Sequence, residues 1–362
     1  MNNKEYKNII AFHPGFYIEE IIEDLEMTQE EFAKRLDVSA KTISKLVNAQ
    51  ISLSDDIASR ISIMLGINTE TLINLQKTYD LKLLEIEKTK KFDTQKTIVK
   101  EIDYNYFVRN GILSAAKTIE EKIESLCSYL MVSDLSLLKK PDLLASFRTS
   151  VQNVTEKNII NANVWLQTAI NFGLKKVVKP FDEKKLKAAI PEIRSMTIMN
   201  PKEFLPKLEE IFKECGVAFV LLPSLKNCGV NGVVKWCDDK VILAINDRNS
   251  FADTFWFSLF HEIGHVFQKK KTKIIINDKN LSQTSETLEN EADQYARDVL
   301  FSQTEYESLL DCDSHNITYE RICSFAQKSG IHPGIIIGRL QHDKIIPYSL
   351  FTTKREKYQI IM

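Results

Sequence analysis

Apolar positions along the chain follow two regimes. Up to about residue 210 they recur every three or four residues, the helical period, while from 215 they gather into short β-branched runs before helical spacing returns. The stretch MTQEEFAKRLDVSAKTISKLVNAQ (27–50) predicts two short helices around a tight turn. Thr28 with Glu31 reads as a capping box, Phe32, Ala33 and Leu36 face inward, and Leu36-Asp37-Val38 breaks the first helix. Ser39 then caps a second helix with Ile43, Leu46 and Val47 inward, which leaves Lys41, Thr42, Ser44 and Lys45 outward. Residues 79–100 are charged, glycine-free and weakly amphipathic, and predict a helical connector. Helices continue over 101–213, with a loop near Lys139-Lys140-Pro141, breaks at Pro180, Pro191, Pro201 and Pro206, and Trp165 in a core. GVAFVLL (216–222), GVVKW (232–236) and KVILAIN (240–246) predict strands, with Cys237-Asp238-Asp239 as a hairpin turn. Ser250 with Asp253 then caps a helix carrying FSLFHEIGHVF (257–267). SETLENEADQYARDVLF (285–301) follows as an amphipathic helix with Leu288, Ala292, Tyr295, Ala296 and Val299 inward. The expected fold class is mainly α with a small β-sheet (α+β), in three segments: 1–78, a connector at 79–140, and 141–362.

Charge sharpens one part of this picture. Lys+Arg 48 against Asp+Glu 49 leaves no global basic excess, so any nucleic-acid binding must come from a local patch. Residues 34–48 supply one, with Lys34, Arg35, Lys41 and Lys45 against Asp37 alone, whereas Glu19, Glu20, Glu23, Asp24 and Glu26 make the preceding helix acidic. The chain shows no signal-peptide segment and no apolar run long enough for a bilayer, so a cytoplasmic protein without membrane contact is expected. Its six cysteines form no CxxC pair and read as reduced thiols; Cys228 and Cys237 lack a second pair with which to hold a metal.

The chemistry sits in H-E-x-x-H. His261 and His265 are four residues apart, so both imidazoles project from one helix face and can ligate one zinc, with Glu262 beside the metal as a general base. A third ligand must come from another element. On the 285–301 helix, Glu286 and Asp293 fall on the far side by helical angle, while Glu289 and Glu291 both flank the apolar stripe; periodicity does not choose between them. No oxyanion donor is named: Tyr295, His315, His332 and Arg339 read as capping, core or surface residues, and His13 and His342 as surface or turn residues.

Two resemblances extend this. AFHPGFYIEEII, the 27–50 motif and DDIASRISIMLGINTETLINLQKTYDL make residues 9–82 similar to the five-helix DNA-binding domain of HigA-type antitoxins in the XRE repressor class. Asp37 stands where a turn glycine is usual, and Ala49 departs from an Asn-Gly-Lys-like pattern. The likeness implies a homodimer on double-stranded DNA, its own operator, contacted through Gln29, Ser39, Lys41, Thr42, Ser44 and Lys45. HEIGH, NEADQYARDVL, ASFRTS (145–150), IRSMT (193–197) and GIIIGRLQHDKI (334–345) make roughly 140–350 resemble the ImmA/IrrE family of metallopeptidases, with a zincin-like fold. That resemblance implies Glu291 as third zinc ligand beside His261 and His265, and Glu262 as base. Tyr295, four residues after Glu291, departs from the aspartate of thermolysin-type proteins that orients a histidine, leaving Asp298 as candidate for that task. The implied activity is zinc-dependent peptide hydrolysis, on a helix-turn-helix repressor, a cognate toxin or this chain's own connector. An always-active enzyme beside its own repressor domain would defeat itself, so latency is expected. The alternatives are an antitoxin-like regulator whose C-terminal domain senses or binds a partner without cutting, and a peptidase whose N-terminal domain only docks a partner.

Overall fold

The structure, a computed structural model, describes residues 4–141, 143, 154–246, 251–268, 281–311 and 317–358, with main chain alone at 281–285. The ASFRTS segment, Ser250, Cys312 and His315 lie outside the described residues. Among the described residues the fold is mainly helical with a little sheet, as expected, but in two small sheets rather than one.

The chain divides into two compact units, meeting between Thr97 and Ile98. The first opens with a hairpin, β1 (Lys4–Tyr6) and β2 (Ile9–Ala11), followed by α1 (Pro14–Asp24), α2 (Gln29–Arg35), α3 (Ala40–Val47), α4 (Asp55–Leu65) and the long α5 (Thr69–Glu101). Ile18, Phe32, Ile43, Leu46, Ile57, Ile61 and Leu72 fill its core. The borders expected at 78 and 140 give way because α5 runs through the first of them without a break. Tyr79 and Ile86 on α5 bury Ala11 of the hairpin, which binds this stretch into the first unit. The hairpin has no counterpart in the sequence reading.

In the second unit, α6 (Tyr104–Arg109) and α7 (Ile119–Leu130) precede α8 (Glu156–Lys175), which is buried nearly all round, Trp165 included. Amide side chains settle α8 in place: Asn161 donates to Glu101 O, and Asn163 to Leu138 O and Lys140 O. The 98–140 stretch thus belongs with the second unit. Next come α9 (Glu183–Ser195) and α10 (Pro201–Glu214). Two of the predicted breaks are corrected: Pro191 and Pro206 lie inside these helices, on exposed positions where water can take the carbonyl that proline leaves unbonded. Pro201 stands at the first turn of α10, where its missing N–H costs nothing.

The sheet of this unit has the order β3 (Val217–Leu222), β5 (Lys240–Asn246), β4 (Gly232–Cys237), with β5 parallel to β3 and antiparallel to β4. Cys237 pairs with Lys240 across a two-residue turn, and Asp238 takes the left-handed backbone that such turns require. Among the described residues, α11 (Ala252–Phe267), α12 (Leu281–Leu300), α13 (Gln303–Asp311), α14 (Tyr319–Ser329) and α15 (Pro333–His342) follow. Phe204, Phe212, Leu243, Trp256, Phe260, Ile263 and Phe301 are among the buried side chains that join helices and sheet. Asp253 does not cap α11. Its carboxylate forms a buried two-bond ion pair with Arg355, at 2.6 and 3.0 Å.

Candidate nucleic-acid interface and metal centre

In the first unit both hydroxyl caps form, but the capping box expected at Thr28 is only half made, since the Glu31 carboxylate bonds Arg35 instead. Thr28 accepts from Glu31 N at 3.1 Å, and Ser39 accepts from Thr42 N at 3.0 Å. Arg60 of α4 locks the intervening turn by donating to Leu36 O and Asp37 O, and Asp37 takes the left-handed conformation that it tolerates better than most residues. Ser39 and Thr42 are bonded hydroxyl to hydroxyl at 2.7 Å, so both are committed to the helix start. Gln29, Ser44 and Lys45 are half-buried, and Lys41 is exposed. The basic patch is narrower than a charge count implies: Glu30 lies 3.3 Å from Lys34 and Glu31 lies 2.6 Å from Arg35. Lys41 and Lys45 of α3 make no ion pair among the described residues.

In the second unit α11 and α12 pack closely, because Gly264 lets α11 approach Ala292; a Cβ there would stand 3.1 Å from Ala292 Cα. The approach brings His261 Nε2, His265 Nε2 and the Glu289 carboxylate within 4.8 Å of one another. The assignment of Glu291 is corrected here: its side chain is exposed and accepts from Gln268 Nε2 at 3.3 Å. Glu289 and Glu291 are two residues apart on a helix and so point to opposite sides. Asp293 is corrected as well. It lies four residues after Glu289, on the same face, and its Oδ1 is 2.8 Å from His261 Nδ1. Asp298 instead accepts from Gln294. Gln268, which the sequence reading missed, takes the same part for the other imidazole, with Oε1 2.9 Å from His265 Nδ1.

The Asp293 and Gln268 oxygens accept from both Nδ1–H groups, which turns both Nε2 atoms toward Glu289. The Nε2 atoms are 3.0 Å apart, and Glu289 oxygens lie 3.4 Å from His261 Nε2 and 3.6 Å from His265 Nε2. Ligands about 2.0–2.2 Å from a tetrahedral ion are roughly 3.3–3.5 Å from one another, so the donor set matches a zinc-sized cation in spacing as in chemistry. Without a cation the acidic neighbours favour protonated imidazoles, so a metal would bind here by displacing protons. Burial draws the His261 imidazole down, yet Asp293 and Glu289 outweigh it and hold it at about 10. Burial works against His265 too, and Glu289 still raises it. Burial pushes Glu289 up, but the two imidazoles hold its carboxylate well below the usual range. Glu262 is buried and is lifted to about 7 by desolvation, against the pull of both histidines. Gly232 of β4 gives this carboxyl its room: a Cβ there would stand 2.7 Å from Glu262 Cγ and Cδ.

The remaining histidines are placed differently. His13, read as a surface or turn residue, is buried: its Nδ1 accepts from Gly15 N at 2.9 Å and caps α1, with its ring edge-on to Tyr79. His332 caps α15 in the same way through Gly334 N. The tripeptide His-Pro-Gly precedes both helices, a signal that could have shown both caps. His342 is exposed beside Asp343, and Tyr295 sets its ring edge-on to Phe267. Arg339 donates to Phe301 O and Gln303. Among the described residues no helix is long and apolar enough to cross a membrane.

Known proteins resemble part of the chain. The family described as "Helix-turn-helix" matches residues 18–72, the segment that holds α2, the locked turn and α3. An uncharacterized HTH-type transcriptional regulator, YddM, from Escherichia coli (strain K12) is 30% identical over 76 residues, which cover 21% of this chain and 79% of the relative. Virulence-associated protein I from Dichelobacter nodosus is 33% identical over 79 residues, covering 22% of this chain and 73% of the relative. Two solved structures are also similar. One is described as an antidote protein of a plasmid maintenance system from Nostoc punctiforme, with 33% identity, TM-score 0.23, and coverage of 23% of this chain and 92% of that one. The other is an addiction module antidote protein of a HigA family from Coxiella burnetii, with 28% identity, TM-score 0.22 and the same coverage. Through its N-terminal unit the chain belongs to the helix-turn-helix family of transcriptional regulators.

Proposed function

We propose that this DNA-binding regulator, antitoxin-like in its first unit, carries a zinc-dependent endopeptidase in its second. The observation that carries the reading is the convergence of His261, His265 and Glu289 beside the buried carboxyl of Glu262. Bound there, zinc would supply Lewis-acid polarisation of the scissile carbonyl and a lowered pKa for water. The residues of the chain do the rest. Asp293 and Gln268 fix the imidazole tautomers. Glu262, held near neutrality by burial, takes a proton from the attacking water and returns it to the leaving amine. Among the described residues β4 pairs only with β5, and its Gly232 abuts Glu262, so an extended peptide added along the free edge of β4 would pass the base. The substrate classes that suit such a fusion are a helix-turn-helix repressor, a cognate toxin, or the chain's own 79–100 stretch.

The test is zinc content and cleavage in four proteins. Wild type should hold about one zinc per chain. Glu289→Ala should lose it, and Glu291→Ala should keep it. Glu262→Gln should keep zinc but lose proteolysis of repressor and toxin candidates by at least about a hundredfold. Zinc retained in Glu289→Ala overturns the centre, and full cleavage by Glu262→Gln overturns the base. Zinc with no cleavage in any protein would leave a sensor domain on a DNA-binding regulator.

A further inference from the structure

A cavity of about 430 Å³, the size of one small-molecule site, opens between α11, α12, α15 and the segment that follows α15. Phe257, Leu300 and Ile335 give it apolar walls, and three guanidiniums, Arg297, Arg339 and Arg355, reach its lining. Two of these are already engaged. Arg355 is held by Asp253 and Gln341. Arg339 bonds Phe301 O and Gln303, lies 3.8 Å from Asp343 and stacks at 3.9 Å on the Tyr306 ring. Arg297, half-buried on α12, makes no hydrogen bond or ion pair among the described residues, and the carboxylate that feels its charge, Asp343, is already bonded to His342 and beside Arg339. Its guanidinium donors at the cavity wall are thus unbonded among the described residues, and a bound anion would accept from them.

We propose that this cavity binds a small amphipathic carboxylate, its apolar body against Phe257, Leu300 and Ile335 and its carboxylate on Arg297. It is distinct from the metal centre, since His261, Glu262, His265 and Glu289 do not line it. The two are neighbours nonetheless. Phe257 is one turn before His261, with ring centroids 6.3 Å apart, and Arg297 is one turn beyond Asp293 on α12. An occupant therefore touches both helices that hold the candidate ligands, which suits a metabolite signal read by the second unit. The inference goes beyond the proposed peptidase, and its test involves no cleavage.

Calorimetric titration of the full chain decides it, with decanoate and 4-phenylbutyrate as probes and their neutral alcohols as controls. At least one carboxylate should bind saturably at one site, about tenfold or more tighter than its alcohol, the worth of one charge-assisted hydrogen bond. Arg297→Leu should lose that tenfold preference while binding the alcohol as before, and Arg297→Lys should keep part of it. His261→Ala should bind the probe as wild type does. The proposal is overturned by no saturable binding of either carboxylate up to about 1 mM, by equal affinity for acid and alcohol, or by unchanged preference in Arg297→Leu. Loss of binding in His261→Ala also overturns it, by moving the ligand to the metal cleft.

Discussion

At Ala49 the backbone overrides the side chain. Gln50 N bonds Lys45 O at 2.8 Å and Ala49 N bonds Leu46 O at 3.0 Å, closing α3 with the double bond of a Schellman end and forcing Ala49 to φ 54°. A left-handed alanine costs about 1–2 kcal/mol, whereas a glycine there costs about 0.4–1 kcal/mol in unfolded-chain entropy. Ala49→Gly should therefore stabilise the first unit by about 0.5–1 kcal/mol, visible as a later urea transition of that unit; an earlier transition would mean that the strain is relieved elsewhere. Ala49 was legible as an oddity in the sequence, and its conformation was not. The residues of the candidate metal site are legible to a similar depth. His261, Glu262 and His265 follow from spacing alone, because positions four apart share a helix face. Glu289 and Glu291 rank level in the sequence, since an apolar stripe ranks flanking positions only coarsely. The deciding signal was polar: Glu289 and Asp293 repeat the four-residue spacing of the two histidines, and only the packing at Gly264 shows which side of α12 meets them.

Elements were clearest where a local rule acts alone. Thr28 and Ser39 cap where hydroxyls before an apolar period should, and the inward faces of α2 and α3 match their spacing. The β1–β2 hairpin, two strands of three residues, is too short to show a period, and Pro191 shows that a core-anchored helix can outlast a proline on its exposed side. On α3 these rules leave Lys41 and Lys45 as cations without an ion-pair partner among the described residues, and the pairing of Lys34 and Arg35 with Glu30 and Glu31 sets them apart from the rest of the patch. If both lysines meet phosphates, Lys41→Ala with Lys45→Ala should lower the salt slope of binding to its own upstream DNA by about 2. Lys34→Ala with Arg35→Ala should lower it by less. Equal slopes in the two double variants would return the interface to a diffuse charge effect.

The arrangement of the whole molecule was the least legible, because α5 crosses the unit border without a change of composition and only the packing of Tyr79 and Ile86 assigns its first part. That helix also bears on assembly. Leu72, Tyr79 and Ile86 are buried, while Ile73, Leu81 and Leu84 are 37%, 57% and 53% exposed. At about 100° per residue these three fall within one arc of roughly 80°, opposite the buried set. Helix-turn-helix units read paired half-sites as dimers, and joining two weak half-site contacts gains about 10²–10⁴ in apparent affinity. The homodimer that the resemblance implies would cover the exposed stripe with a second copy of this chain. Leu81→Glu with Leu84→Glu should then give a monomer in sedimentation and cut operator affinity by at least about a hundredfold. Zinc content should not change, since the candidate ligands belong to the other unit and take no part in the stripe. A variant that stays dimeric with full operator affinity would place the dimer contact elsewhere. One that loses zinc as well would show that the second unit depends on assembly in a way that its own core does not require.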